Sequence, residues 1–453
     1  MLIKNIKLEN YRCFKEFNID FDEKLTVIVG ENSLGKSAVL DALSVALGPF
    51  MMCLDTGKDS KFTTSDVRLE IRNNTTTKMV EIEKVYPVTL LAEGEIEGLS
   101  SEWSRALTGE KSQTTHRDTI VLKNYAKKLQ SSVKNDSVSV GLPIVSYYGT
   151  GRLWDIDNTS TSDNKNSFSR LFGYDKALES ASTYKEFDKW FVNESKAEYD
   201  KLIEEIQKQT TIEDYSEDIE ESKALNNVRK AVNTCLKVSQ WSDLRYNAKF
   251  KEITANHPEQ GTIPVSMLSD GVRSMLAMIA DIAYRCTKLN PHLSNAPKET
   301  KGIVLIDEIE MHLHPKWQQT VIPNLQEAFP KIQFIITTHS PQILTTVQPE
   351  CIRGLVMYDT RIIAIPFDFS YGAKSHELLE YILGIDERPQ HLEIVKKLNK
   401  YMELVDKNQY DSDEAKELRK ELDIWGAGKE KSLLKADMDI RLKEYQRKKY
   451  EKN

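Results

Sequence analysis

The sequence predicts an α/β fold with a helical insertion and a helical carboxy-terminal tail. Short, wholly apolar runs such as residues 303–306 are typical of strands buried on both faces of a sheet. A glycine-containing loop at residues 30–35 joins another such strand, LTVIVG, to a segment with helical periodicity. The chain after residue 373 consists of amphipathic, strongly charged segments that are typical of surface helices.

Residues 1–150 form the first predicted region. It opens with two alternating strands, LIKNIKLENY and FKEFNIDFD, followed by LTVIVG and the helix SAVLDALSVALG, for which Gly48 is the expected C-cap. Residues 66–92 predict a hairpin or meander, residues 118–133 a helix, and residues 142–149 a buried strand.

Three more regions follow. Residues 151–240 are expected to hold a polar, mobile loop at 155–167 and a few inserted helices interrupted by an acidic stretch. Residues 241–372 return to strands, near 245–267 and in KGIVLIDE and IQFIITTHS. Residues 373–453 form the charged helical tail.

The composition is that of an ordinary soluble globular protein, with 40% apolar and 29% charged residues in a chain of 453. No apolar run approaches the roughly 20 residues that a membrane helix needs, and the amino terminus alternates too regularly for a secretory signal. Five scattered cysteines without a CxxC or Cys/His cluster favour a reducing cytoplasm. A net charge of −7 gives no global positive field, so any contact with nucleic acid requires a local patch.

The segment GENSLGKS at residues 30–37 fits the phosphate-loop pattern GxxxxGK[ST]. In this pattern, glycines let backbone N–H groups fold around phosphate oxygens at the amino terminus of a helix. Lys36 is expected to reach the β- and γ-phosphates of ATP, and the Ser37 hydroxyl to bind Mg²⁺. The predicted nucleotide contacts are Gly30, Glu31, Asn32, Ser33, Leu34, Gly35, Lys36 and Ser37.

The segment KGIVLIDEIE supplies two carboxylates at the end of a buried strand. Asp307 emerges at the carboxyl end, where ligands bind in open α/β sheets, and is expected to hold Mg²⁺ through water. Glu308 is the candidate to orient or deprotonate the attacking water. Together with the phosphate loop, these residues predict Mg²⁺-dependent ATP hydrolysis.

The segment MLSDGVRSMLAMIADIAYR predicts a helix that begins near Ser269 and Asp270. A capping serine and a close-approach glycine at a helix amino terminus can bind phosphate. The segment resembles the ABC signature LSxGxR of the SMC/RecF-like branch. This resemblance implies that Ser269 and Gly271 bind the γ-phosphate held by a second subunit, in a dimer with nucleotide between the two heads. The alternative is that Ser269 and Asp270 only cap a core helix.

The segment FIITTHSPQIL is another buried strand, ending in Thr338, His339 and Ser340. It resembles the switch-histidine motif of the same ATPases. A neutral imidazole at His339 can donate to or accept from the γ-phosphate and its water, which makes this residue a catalytic candidate. A histidine at a strand end can also be purely structural.

Other residues near these motifs are less informative. Arg12, in NYRCF, matches a position where relatives carry an arginine that approaches the nucleotide, or it is a surface charge. No glutamine suits a Q-loop, although YYGTGRLW lies where that loop is expected, with Arg152 as a candidate phosphate contact.

The segment EMHLHPKWQQ matches the D-loop by position, with His314 where many members carry aspartate. Glu310, His312 and His314 are not expected to bind zinc, because their spacing suits a strand and no fourth ligand is evident.

Together these motifs resemble the soluble SMC-, RecF- and OLD-like ABC ATPases over roughly residues 1–150 and 240–370. The long separation of phosphate loop and signature argues against a membrane transporter subunit. The phrases YYGTGRLW, LSDGVRS, IDEIEMHLHPKWQQ and TTHSPQIL look most like the ATPases of Septu and of Septu-like retron modules. The resemblance implies bacterial anti-phage defence, a homodimer or higher homo-oligomer, and a separate HNH-type nuclease as partner.

Two other functions remain open. A DNA-repair or chromosome-maintenance ATPase would carry the same head. An OLD-type nuclease would add a Toprim domain, whose carboxylates bind Mg²⁺. Asp437 and Asp439 form a DxD, but in a segment that predicts a helix. The basic stretch 429–452 is either a solvated helix face or a surface for nucleic acid or an acidic partner.

Overall fold

The computed structural model describes residues 1–73, 80–135, 139–151, 169–179, 184–207, 220–426 and 428–450. Two compact units are present, Met1–Leu378 and Leu379–Asn453. The polar stretch 155–167, Arg152 and the acidic residues 212–219 lie outside the described residues. No described helix is long and apolar enough to cross a membrane.

The strands of the described residues all belong to the first unit. They are β1 (Leu2–Tyr11), β2 (Phe14–Asp20), β3 (Leu25–Gly30), β4 (Leu69–Asn73), β5 (Val80–Lys84), β6 (Val88–Ile96), β7 (Leu99–Leu107), β8 (Ile144–Tyr148), β9 (Ser242–Asn247), β10 (Glu252–His257), β11 (Gly261–Pro264), β12 (Gly302–Ile306), β13 (Ile332–Thr337), β14 (Ile352–Tyr358) and β15 (Arg361–Pro366).

The described helices occur in both units. They are α1 (Lys36–Met52), α2 (Ile120–Lys134), α3 (Lys185–Gln207), α4 (Glu220–Cys235), α5 (Asp270–Leu289), α6 (Ala296–Glu299), α7 (Pro315–Gln318), α8 (Val321–Ala328), α9 (Pro341–Leu344), α10 (Ser375–Tyr381), α11 (Glu393–Asp406), α12 (Asp413–Gly426) and α13 (Lys431–Tyr450).

A six-stranded sheet in the order β15-β14-β3-β13-β12-β8 forms the centre of the first unit. Its strands are parallel except for β15, which is antiparallel to β14. Every residue of β3, β12 and β13 is buried, as their continuous apolar sequences predict. Because these strands are parallel neighbours, the phosphate loop, the carboxylates after β12 and the histidine after β13 lie at one edge of the sheet.

A second, antiparallel sheet in the order β2-β1-β6-β7 lies on the other side of α1. Helix α1 contacts β3 and β13 of the central sheet and β6 and β7 of the antiparallel sheet. Almost all of α1 is therefore buried, including Lys36 at its amino terminus. The layered α/β fold class is confirmed.

The predicted C-cap at Gly48 is wrong, because α1 continues through Gly48 and Pro49 to Met52. Gly48 instead lets the Asp59 side chain approach α1 closely, since a Cβ at residue 48 would lie 2.4 Å from Asp59 Oδ1. Pro49 has no N–H to donate to the carbonyl of Val45. The buried Arg105 of β7 fills that role, donating from its guanidinium to Val45 O at 2.9 Å.

Helix α5 connects the central sheet to the insertion through a buried ion pair. Asp281 accepts from Arg285 Nε at 2.7 Å and from the hydroxyl of Tyr148, at the end of β8, at 2.7 Å. The Arg285 guanidinium also donates to the carbonyls of Gly173 and Asp175. These contacts fix α5 against the strand next to β12.

The second unit is helical in its described part. Helices α11, α12 and α13 pack around a small core that includes Leu398, Val405, Leu422 and Leu433. The tail was predicted from residue 373, whereas this compact unit begins at Leu379. A row of exposed side chains lies on α13 away from the core: Leu434, Met438, Leu442 and Tyr445.

Candidate nucleotide site

The phosphate loop turns sharply between β3 and α1. Positive φ angles at Gly30, Ser33 and Gly35 bend the backbone, and the loop residues from Glu31 to Ser33 are exposed. Lys36, the first residue of α1, is only 7% exposed, and its Nζ donates to the carbonyls of Gly30 and Glu31 at 2.9 Å each. The ammonium group is thereby held inside the loop, next to the exposed Ser37.

Burial lowers the pKa of Lys36, while Asp307, Glu308 and Glu310 oppose that shift. A desolvated cation of this kind is stabilised by an anion, because burial penalises the charged form. The backbone shape, the buried ammonium and the exposed helix amino terminus therefore fit the phosphates of a nucleotide.

Asp307 follows β12 and is 4% exposed. Its Oδ1 accepts from Thr337 Oγ1, at the end of β13, at 2.5 Å. The same hydroxyl accepts from the backbone N–H of Glu308 at 2.8 Å. Thr337 therefore fixes both carboxylate residues relative to the neighbouring strand. Asp307 and Ser37 are hard oxygen donors that suit Mg²⁺.

His339 follows β13 and is partly buried. Burial and the nearby Lys36 lower its pKa, against the opposing effect of Glu310, Glu308 and Asp307. The imidazole is therefore neutral near pH 7 and can either donate or accept a proton. His339 thus lies near Lys36 and the acidic residues after β12, and its catalytic role stays a prediction.

The predicted signature segment lies at the start of α5, where its sequence pattern places a helix amino terminus. Ser269 precedes α5, is exposed and makes no side-chain cap hydrogen bond to the helix. Asp270 pairs with Arg273 at 2.6 Å. Gly271 lets the start of α5 approach the backbone of His312 closely, since a Cβ at residue 271 would lie 2.2 Å from the carbonyl oxygen of His312. The glycine therefore allows α5 to pack against the turn after β12. Its contact with phosphate stays a prediction.

Arg12 lies between two carboxylates. Its Nη1 donates to Asp41 at 2.6 Å and its Nε to Asp66 at 2.8 Å. Asp41 is on α1, one turn beyond Ser37, and also accepts from the hydroxyl of Tyr147 at 2.8 Å. Arg12 is thus anchored close to the phosphate loop, although its predicted contact with nucleotide remains untested.

Sequence reasoning missed several residues of the site. Thr337, Asp41 and Tyr147 appear in the motifs or beside them, but only the folded structure shows their partners. Thr337 binds Asp307, whereas Asp41 accepts from Arg12 and Tyr147. The sequence assigns no role to Glu310, whereas in the structure its carboxylate binds Thr338 and the backbone of His339. Among the described residues, no group of three or more His, Cys, Asp or Glu could hold a metal ion by itself. The D-loop residue His314 caps α7, accepting at Nδ1 from the N–H of Lys316 at 3.2 Å.

Residues 1–344 match the family model described as an AAA ATPase domain. The chain belongs to this AAA ATPase family. The matched region contains the phosphate loop, the signature, the carboxylates after β12 and His339.

Two relatives are similar to this chain over most of both sequences. The "Retron Vc95 probable ATPase" of Vibrio cholerae serotype O1 biovar El Tor is 29% identical, covering 92% of this chain and 86% of the relative. The "Retron Ec83 probable ATPase" of Escherichia coli is 28% identical, covering 92% and 82%.

A third relative matches a shorter stretch. The "Septu protein PtuA" of Bacillus mycoides (strain KBAB4) is 44% identical over 20% of this chain and 11% of that protein. The predicted resemblance to SMC/RecF-like ABC ATPases, and within them to retron and Septu ATPases, is confirmed.

Proposed function

We propose that this chain is a Mg²⁺-dependent ATPase that closes as a homodimer around ATP and regulates a separate HNH-type nuclease in bacterial anti-phage defence. The observation that carries the proposal is the convergence of Lys36, Asp307, Glu308 and His339 at one edge of the central sheet. These are the groups that phosphoryl transfer to water requires: a phosphate-binding cation, a metal-binding carboxylate and residues that orient water.

Within one subunit, each residue has a distinct role. Lys36 and the loop N–H groups bind and orient the β- and γ-phosphates, while Ser37 and Asp307 would hold Mg²⁺. An ion held there would neutralise charge on the phosphate oxygens. Glu308 orients the attacking water and takes its proton, and the neutral His339 donates to the γ-phosphate.

Dimer formation is supported by the exposed start of α5. The Ser269 hydroxyl is exposed and makes no cap hydrogen bond, so it can donate to a phosphate presented by a second copy. Gly271 and the carbonyl of His312 fix the orientation of that helix end. The partial positive charge at a helix amino terminus favours the phosphate anion.

Regulation of a partner is supported by the relatives and by the second unit. Similarity to the retron ATPases extends over most of the chain. Similarity to the Septu protein covers a shorter segment. The row Leu434, Met438, Leu442 and Tyr445 leaves apolar surface exposed on α13, beside exposed Lys435. Exposed apolar area on one helix face is typical of protein–protein contact.

The proposal is tested by reconstituting the purified chain with an HNH-type nuclease from the same host, the partner that the proposal requires. The chain alone is expected to leave DNA and RNA intact with Mg²⁺ or Mn²⁺, with or without ATP, whereas the nuclease activity of the complex should depend on ATP. Cleavage by the chain alone that persists in Lys36→Ala but disappears in Asp437→Ala would instead identify an OLD-type nuclease. Co-purification with recombination proteins and no nuclease would favour DNA repair.

A further inference from the structure

Glu310 holds the segment that carries the switch histidine. It lies on the turn after β12, two residues beyond Glu308, and each of its carboxylate oxygens binds the end of β13. Oε2 accepts from Thr338 Oγ1 at 2.7 Å, and Oε1 accepts from the backbone N–H of His339 at 2.5 Å. Hydrogen bonds to an ionised carboxylate are stronger than those between neutral groups.

The neighbouring contacts explain why these two hydrogen bonds determine where the imidazole lies. Thr338 Oγ1 also accepts from the N–H of Ser340 at 3.0 Å, so Glu310 and Ser340 together fix the backbone on both sides of His339. One residue earlier, Thr337 joins β13 to Asp307 and Glu308. Successive residues after β12 thus bind successive residues at the end of β13, and Glu310 is the member of this series that reaches the histidine.

We infer that Glu310 is a positioning residue for His339. It fixes the histidine backbone so that the imidazole faces the γ-phosphate site next to Lys36. In this role Glu310 acts through His339. Its negative charge also opposes the lowering of the His339 pKa by burial and Lys36, in company with Glu308 and Asp307. This inference deepens the proposed ATPase activity and rests on it for its catalytic consequence.

The first test is independent of hydrolysis. Selective ¹⁵N-histidine labelling gives one backbone amide signal for each of the 8 histidines, and His339→Gln identifies the signal of residue 339. A short hydrogen bond to a carboxylate moves an amide proton downfield. We expect the His339 proton to move upfield in Glu310→Ala and to exchange faster with solvent. In Glu310→Gln, whose amide oxygen can still accept, the change should be smaller.

The second test separates positioning from a general structural role. Glu310→Ala is expected to lower kcat by roughly a hundredfold, as a misplaced catalytic group does, while the affinity for Mg·ATP stays close to that of the wild type. Glu310→Gln should recover part of kcat. Because they act on one hydrogen bond, Thr338→Val and Glu310→Ala should combine less than additively. Glu327→Ala, which removes an exposed carboxylate on α8, is the matched control.

The outcomes distinguish this inference from the proposed function. An unchanged His339 amide in Glu310→Ala would overturn the positioning role, and so would a loss of ATP affinity in proportion to kcat. If the wild-type chain hydrolysed no ATP, the proposed activity would be wrong. The amide signals would still decide whether Glu310 holds His339.

Discussion

Replacing Lys36 by alanine removes the ammonium group that lies inside the phosphate loop. The Nζ atom lies 2.9 Å from the carbonyls of both Gly30 and Glu31, so a phosphate oxygen entering the loop would meet it directly. A charge-assisted hydrogen bond contributes about 1.5–3 kcal/mol, and about 1.4 kcal/mol corresponds to a tenfold change in affinity. We therefore expect the dissociation constant for Mg·ATP to rise by at least about tenfold.

Isothermal titration calorimetry with Mg·ATP measures this change directly. Lys58→Ala is the matched control, because Lys58 is exposed and paired with Glu179 away from the loop. Thermal unfolding of both variants verifies that α1 remains folded. An affinity in Lys36→Ala equal to that of the wild type would refute the assignment of residues 30–37 as the phosphate-binding loop.

Two further substitutions test how the site and its supporting helix are held. Gly271→Ala places a Cβ 2.2 Å from the carbonyl oxygen of His312, so we expect α5 to shift and ATP turnover to fall. Calorimetry should show that ATP still binds, and unchanged turnover would contradict this expectation. Arg105→Ala removes the buried guanidinium that pairs with the Asp59 carboxylate and leaves His116 as its remaining partner, so it should destabilise the first unit by about 3–5 kcal/mol in urea unfolding. Removing the exposed Arg361 should cost less than about 1 kcal/mol, and equal losses for the two arginines would contradict the burial argument.

Local patterns in the sequence predicted most of the elements that form the site. The largely apolar runs before Gly30, Asp307 and Thr338 are strands because segments buried on both faces of a parallel sheet consist mostly of apolar residues. The phosphate loop and the helix after it were recognisable because glycines and a helix start occupy fixed positions. These signals act over a few residues and need no knowledge of the tertiary fold.

Contacts between distant segments could not be predicted in the same way. Strands β7, β14 and β15 were missed, and β14 completes the central sheet by pairing with β3 from far along the chain. The extension of α1 through Pro49 depends on Arg105, a residue of another strand, supplying the donor that proline lacks. Likewise, Glu310 acquires its role only once β12 and β13 are neighbours.

The ATP-dependent dimer is the central claim, and the mass of Glu308→Gln in solution tests it most directly. This substitution removes the proposed base but leaves Lys36, Asp307 and the exposed Ser269 in place, so ATP should bind, persist and hold two subunits together. Light scattering with Mg·ATP is predicted to give at least twice the mass measured for the monomeric chain, and adding Lys36→Ala should abolish that increase. A Glu308→Gln protein that is saturated with ATP and strictly monomeric would contradict the account.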